Sequence, residues 1–162
     1  MAQEFSQAQG GKAERDGIAA RKSAMAALAE ATAAELASGL AACPQLPYTD
    51  LRAPETGLVM VRGRIGGDGA PFNLGEATVT RSAIQLATGE IGHAYVLGRD
   101  VEKARLAALC DALWQIEAHR GAVEDHVLAP VRGRIARERA QSQARTAATR
   151  VDFFTLVRGE NE

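Results

Sequence analysis

Three kinds of residue in this 162-residue chain can do chemistry: histidines beside carboxylates, a glycine-rich turn, and a run of arginines. The histidines are His93, His119 and His126. A general base needs an orienting partner within hydrogen-bond reach. His119 and His126 are seven apart, a spacing that suits one helical face, but Gly121 lies between them. Glu124 and Asp125 adjoin His126, and they read as a helix start as readily as an acid/base pair. His93 alternates with apolar residues, as a histidine on a sheet does. None of the three is assigned a catalytic role. Cys43 and Cys110 stand alone, outside any CxxC pair or histidine spacing, so neither a disulfide framework nor a zinc site is expected.

The second candidate is Gly63-Arg-Ile-Gly-Gly-Asp-Gly69, whose backbone N–H groups can cradle phosphate. Its context argues otherwise. It joins two strands rather than a strand and a helix, and no Gly-Lys-Ser/Thr follows, so it reads as a hairpin turn. The third candidate is Val131–Arg150, which carries Arg132, Arg134, Arg137, Arg139, Arg145 and Arg150. It is either a solvated, partner-facing helix or a surface for a polyanion such as RNA or a triphosphate. Aromatic residues that would stack on bases are not interleaved with it, and the chain as a whole carries a net charge of −1, which favours the first reading.

These residues have to be positioned by a single α+β domain. Residues 1–16 read as a flexible leader and 17–162 as the domain. Gly17–Glu30 has helical spacing through Ile18, Met25 and Leu28. Thr32-Ala-Ala-Glu35 is a capping-box pattern and starts a second helix; one kinked helix is the alternative. The β region runs from Thr56 to Asp100. Tyr48–Arg52 is expected as an edge strand and Leu58–Ile65 as an alternating strand. Phe72–Leu86 is a long strand whose phase slips at Gly75, as a bulge would cause. Ile91–Leu97 returns, with His93 and Tyr95 sharing a face. Turns this short predict an antiparallel meander of about four strands. Asp100 caps the next helix, expected to stop at Gly121. A short helical piece, Val123–Leu128, precedes Pro130 and the arginine-rich helix. An extended tail closes the chain.

That tail, Val151–Gly159, contains Phe153 and Phe154, two of the four phenylalanines. Aromatics are only 4% of a composition rich in alanine, so the core is thin and larger apolar groups need a partner to bury them. The tail docks either in its own sheet or in another subunit, and aromatic anchors favour the second. No run approaches the length of a membrane span, and the polar N-terminus lacks a signal-peptide core, which points to a cytoplasmic protein.

Five blocks carry a family likeness. They are Ala53-Pro-Glu-Thr-Gly-Leu58, Arg64-Ile-Gly-Gly-Asp-Gly69, Phe72-Asn-Leu-Gly-Glu-Ala-Thr-Val-Thr-Arg81, Val96-Leu-Gly-Arg-Asp100 and Arg150-Val-Asp-Phe-Phe-Thr-Leu-Val-Arg-Gly159. In this order and spacing the chain resembles PhnG, a subunit of the bacterial carbon–phosphorus lyase system. The likeness runs from about Leu36 to the end. It implies an accessory subunit working with PhnH, PhnI and PhnJ partners, in an assembly that displaces adenine from ATP with an alkylphosphonate. ATP would be a substrate of the assembly, with no cofactor or metal on this chain. The family's chemistry is associated with the partners, so no catalytic residue carries over. The expected partner-interface residues are Arg150, Asp152, Phe153, Phe154 and Arg158; arginines near an interface, such as Arg62, Arg64 and Arg158, would add positive potential for a triphosphate.

Overall fold

The structure, a computed structural model, describes the backbone of residues 2–149 and the side chains of residues 15–149. Helix α1 (Ala2–Glu30) is followed by α2 (Ala33–Leu40), then strands β1 (Tyr48–Arg64), β2 (Pro71–Leu86) and β3 (Ile91–Leu97). Helices α3 (Val101–Gln115) and α4 (Glu117–Val123), a π-helical turn (Glu124–Leu128) and α5 (Ala129–Ala148) complete the described chain. The three strands form one antiparallel sheet in the order β1-β2-β3. The helices pack on one of its faces.

The break between α1 and α2 is set by Thr32. Its hydroxyl accepts from the Glu35 N–H at 3.2 Å, and the Glu35 carboxylate accepts from the Thr32 N–H at 2.8 Å. This is the expected capping box, with two helices rather than one kinked helix. Asp100 caps α3 in the same manner, accepting from the Lys103 N–H at 2.9 Å.

The sheet has three strands instead of about four. The segments expected as an edge strand and as the first alternating strand are one element, β1. Its pairing with β2 slips between Asp50 and Arg52 and again between Arg52 and Glu55. Pro54 falls in the second slip, where the ladder requires no donor from it, so a proline can sit inside one continuous edge strand. A third slip, between Val61 and Arg62, leaves Leu74 without a partner between Asn73 and Gly75. That is the bulge the phase change near Gly75 indicates.

The helical end of the domain also differs from expectation. Helix α3 does not continue to Gly121. It stops at Ile116, whose backbone is extended (ψ 117°), and Gly121 lies within α4. Gly121 does not have the positive φ of a C-terminal glycine stop; that conformation is taken by Gly66, Gly67, Gly89 and Gly98, all in turns or strand ends. Pro130 likewise does not separate two helices. The Ala129 N–H reaches back five residues to the Glu124 carbonyl, and Pro130 enters the first turn of α5. Because Pro130 has no N–H, it has no hydrogen bond to give the His126 carbonyl. That carbonyl lies against Gly39 of α2, where an added Cβ would stand 2.5 Å from it.

The core lies between the helices and one sheet face. Leu36 and Leu40 of α2, Ile84 and Leu86 of β2, Ala94 of β3, Leu113 of α3, Val127 and Leu128 of the π turn, and Val131 of α5 are buried together. Much of the α3 surface is alanine, so close approach substitutes for large side chains. Gly92 is the tightest point: a Cβ there would overlap the Ala108 carbonyl oxygen and come within 2.7 Å of the Ala112 nitrogen.

Candidate functional site

Strand register sorts the sheet into two faces. The helix-side face carries Thr80, Ser82, Ile84 and Leu86 of β2 with Gly92, Ala94 and Val96 of β3, all buried. The alternate residues form the outer face. Three rows cross it in succession: Arg52–Ala83–His93, Glu55–Arg81–Tyr95 and Gly57–Val79–Leu97. Two further pairs, Val59–Ala77 and Val61–Gly75, extend it along β1 and β2. No described helix covers this face; Leu97 is 76% exposed and Tyr95 57%.

β3 pairs with β2 only from Val79 to Gln85. Beyond it, Leu58–Arg64 and Pro71–Thr78 form a two-stranded arm closed by the glycine turn. The turn is the hairpin connection expected, with Gly66 and Gly67 at positive φ. Its polar groups are used internally: the Gly69 N–H donates to the Ile65 carbonyl, and Arg64 donates to the Gly69 carbonyl at 3.1 Å. The arm exposes Leu58, Met60, Ile65 and Leu74. A two-stranded ribbon with apolar residues on both faces gains little stability of its own in water.

The two edges of the sheet are treated differently. The β3 edge is closed by α3 and α1. Asp111, 1% exposed, accepts from the His93 backbone N–H at 2.9 Å and from Arg21 through Nε at 3.0 Å and Nη2 at 2.7 Å. The Asp111 contact raises the Arg21 pKa above its ordinary value, chiefly by hydrogen bonding and also by charge. Gln115 donates to the Ile91 carbonyl at 2.7 Å. The β1 edge has no described strand against it.

The three histidines stand on separate elements. His93 lies on the outer sheet face, His119 in α4 and His126 in the π turn. Glu124 is held by the Trp114 indole at 2.7 Å and by Arg132 at 2.5 Å. Among the described side chains, no group of three or more histidine, cysteine or acidic residues could hold a metal ion. Burial, with smaller contributions from Cys43 and Asp111, pushes the Cys110 thiol far up.

The arginines of α5 are largely turned to structural ends. Arg134 pairs with Glu35 at 2.7 Å and Glu138 at 2.9 Å and donates to the Glu30 carbonyl at the end of α1. Arg139 pairs with Glu30 at 2.9 Å. With Arg132 on Glu124, three of the arginines that suggested a polyanion surface instead tie α5 to its neighbours. Of the expected interface residues, Arg150, Asp152, Phe153, Phe154 and Arg158 lie outside the described residues. Arg62 and Arg64 lie on the exposed arm.

Two groupings were not visible as sequence motifs. One is the Arg21–Asp111 clamp, whose members are 90 residues apart. The other is the polar end of the outer face: Arg52, Glu55, Arg81, His93 and Tyr95. Alternation shows that His93 and Tyr95 share a face, but bringing Arg52 and Arg81 beside them needs the bulged register of β1.

Residues 19–159 match the family described as "Phosphonate metabolism protein PhnG". The chain belongs to the PhnG family. A curated relative from Rhizobium meliloti (strain 1021), named "Alpha-D-ribose 1-methylphosphonate 5-triphosphate synthase subunit PhnG", is 53% identical over 146 residues. The similarity covers 90% of this chain and 93% of the relative. The family match extends through the tail with Phe153 and Phe154, and through the whole sheet and arm. The open outer face and the arm are therefore features of a PhnG-family chain, and a relative so named is a subunit of a larger synthase.

Proposed function

We propose that this chain is an accessory subunit of an assembly that transfers an alkylphosphonate to the ribose of ATP with release of adenine. The product of that reaction is a ribose 1-alkylphosphonate 5-triphosphate. The role of this chain is to bind PhnI-, PhnJ- and PhnH-type partners and hold them in register. Its own residues supply binding surface, while the partners supply the reacting groups.

The observation that carries the reading is the outer sheet face with its arm. On the outer face Val61 and Leu97 are exposed beside half-buried Val59 and Val79, and Leu58 and Met60 are exposed on the opposite side of the arm. Apolar side chains exposed on both sides of one ribbon suit a permanent partner more than bulk water. The name of the 53% identical relative, a synthase subunit, supports the same conclusion.

The test is coexpression of the chain with PhnI-, PhnJ- and PhnH-type subunits, followed by purification and an adenine-release assay with ATP and methylphosphonate. The expected result is coelution and activity only in the assembly. Replacing Leu58 and Met60 with aspartate, or Phe153 and Phe154 with alanine, should release the chain while leaving it folded. Adenine release by the isolated chain, or coelution unaffected by every one of these changes, would refute the proposal.

A further inference from the structure

The polar end of the outer face forms a recess of about 420 Å³ lined by Leu51, Arg52, Arg81, Ala83, His93 and Tyr95. Its construction follows from the register. Arg52, Ala83 and His93 stand side by side on β1, β2 and β3, and Glu55, Arg81 and Tyr95 form the adjacent row. Cross-strand neighbours lie about 5 Å apart, and successive rows on one face about 6.6 Å apart. Ala83 is the smallest side chain of the six and leaves a floor, while the long side chains around it make walls.

Charge is concentrated and unbalanced there. Arg81 Nε meets Glu55 Oε1 at 2.7 Å, and Arg52 Nη1 meets the same oxygen at 3.1 Å. Two guanidinium groups thus share a single carboxylate oxygen, leaving one positive charge in excess and most of their N–H donors unspent. Tyr95 stands directly beside Arg81 on the neighbouring strand, and Tyr95 and then Glu55 raise the Arg81 pKa above its ordinary value. Planar arginine forks match the geometry of tetrahedral phosphorus oxyanions, and a tyrosine hydroxyl adds a neutral donor.

We propose that this recess binds a phosphate-type oxyanion, gripped by Arg52 and Arg81 with Tyr95 and His93 at its walls, and that Glu55 holds the two arginines in place while competing with the anion. The choice of a phosphate probe rests on the subunit reading above; the site itself rests on the register and the charges. Since the recess adjoins the apolar part of the outer face, an anion bound here would sit at the margin of the surface that a partner covers.

The experiment is calorimetric titration of the full-length chain with inorganic tripolyphosphate at low salt, with acetate as the carboxylate control. Wild type should show one saturable site for tripolyphosphate and much weaker binding of acetate. Arg52→Gln and Arg81→Gln should each weaken binding about tenfold or more, the loss of one charge-assisted fork. Glu55→Gln should tighten it about threefold by removing the competing charge. Arg62→Gln, which removes the same charge from the arm, should change affinity less than about twofold. Circular dichroism confirms that each variant is folded; should Arg81→Gln unfold the chain, Tyr95→Phe takes its place, with a loss of about threefold. The inference is overturned by the absence of saturable binding, by equal binding of acetate, by an unchanged affinity in Arg52→Gln, by weakening in Glu55→Gln, or by an Arg62→Gln effect as large as that of Arg52→Gln. Because the titration needs no partner, its failure is separable from that of the adenine-release test.

Discussion

Replacing Asp111 with alanine removes three hydrogen bonds at once from a side chain that is 1% exposed. Two come from the Arg21 fork and one from the His93 backbone N–H, so α1, α3 and the β3 edge all lose a shared acceptor. The part-buried His93 N–H then loses its acceptor, and an unsatisfied donor costs up to about 1–3 kcal/mol. The Arg21 side chain is 33% exposed, so it regains part of its hydration and contributes less than the ~3–5 kcal/mol typical of breaking a fully buried pair. The sum is about 3 kcal/mol. For a chain of this size about 1 kcal/mol shifts the melting temperature by ~2–4 °C, so Asp111→Ala should melt about 6–12 °C below wild type. Asp111→Asn keeps one carbonyl oxygen and should lose roughly half as much. Urea denaturation gives the free energies, and amide hydrogen exchange at His93 reports the edge directly, with protection falling sharply in Asp111→Ala. A double-mutant cycle with Arg21→Met should show a coupling of about 1–2 kcal/mol. If Asp111→Ala melts within about 2 °C of wild type with His93 still protected, the clamp does not hold the edge and the reasoning is wrong.

Gly92→Ala places a methyl group against the Ala108 carbonyl oxygen and the Ala112 backbone nitrogen; neither can move without shifting α3, so a loss of about 3 kcal/mol, at the upper end for overpacking, is expected in urea denaturation. Glu35 is held below its ordinary pKa by Arg134 first and by the Thr32 hydrogen bonds next. A lowered folded pKa contributes stability that is present above the unfolded value of 4.5 and is lost as pH falls through the folded value. The stability gap between wild type and Glu35→Gln should therefore be widest near neutral pH and narrow steadily below about pH 4.5, as read from denaturation curves across that range.

Local chemistry was legible in the sequence wherever one or two neighbouring residues decide the backbone. Thr32 with Glu35, and Asp100 at the start of α3, fix helix starts because their side chains bond to N–H groups three residues on. The alternation in Ile91–Leu97 fixes β3 and its two faces because its side chains point alternately. Local signals mislead where tertiary context outvotes them. Pro54 looks like the end of a strand, but a register slip takes it out of the ladder. Gly121 looks like a helix stop, but the chain never enters the left-handed region there, and the break falls at Ile116 instead. Pro130 looks like a separator, but the π turn before it absorbs the missing donor.

The candidate site was less legible than the fold for a related reason. The arginines that attract attention in the sequence are those of α5, since they are dense and nearly consecutive. Density in sequence places Arg132, Arg134 and Arg139 among the acidic residues of neighbouring helices, and they are consumed there as ion pairs. Arg52 and Arg81 attract no attention, being 29 positions apart in strands. Yet two slips in β1 bring them to a common carboxylate on the face that no described helix covers. A charge run on a helix is diluted around its circumference, whereas strands put every second residue on the same side and stack it against neighbours about 5 Å away. In this fold the sheet concentrates charge, and the helices neutralise it; the place to look for an anion is therefore the register of β1 against β2, not the composition of α5.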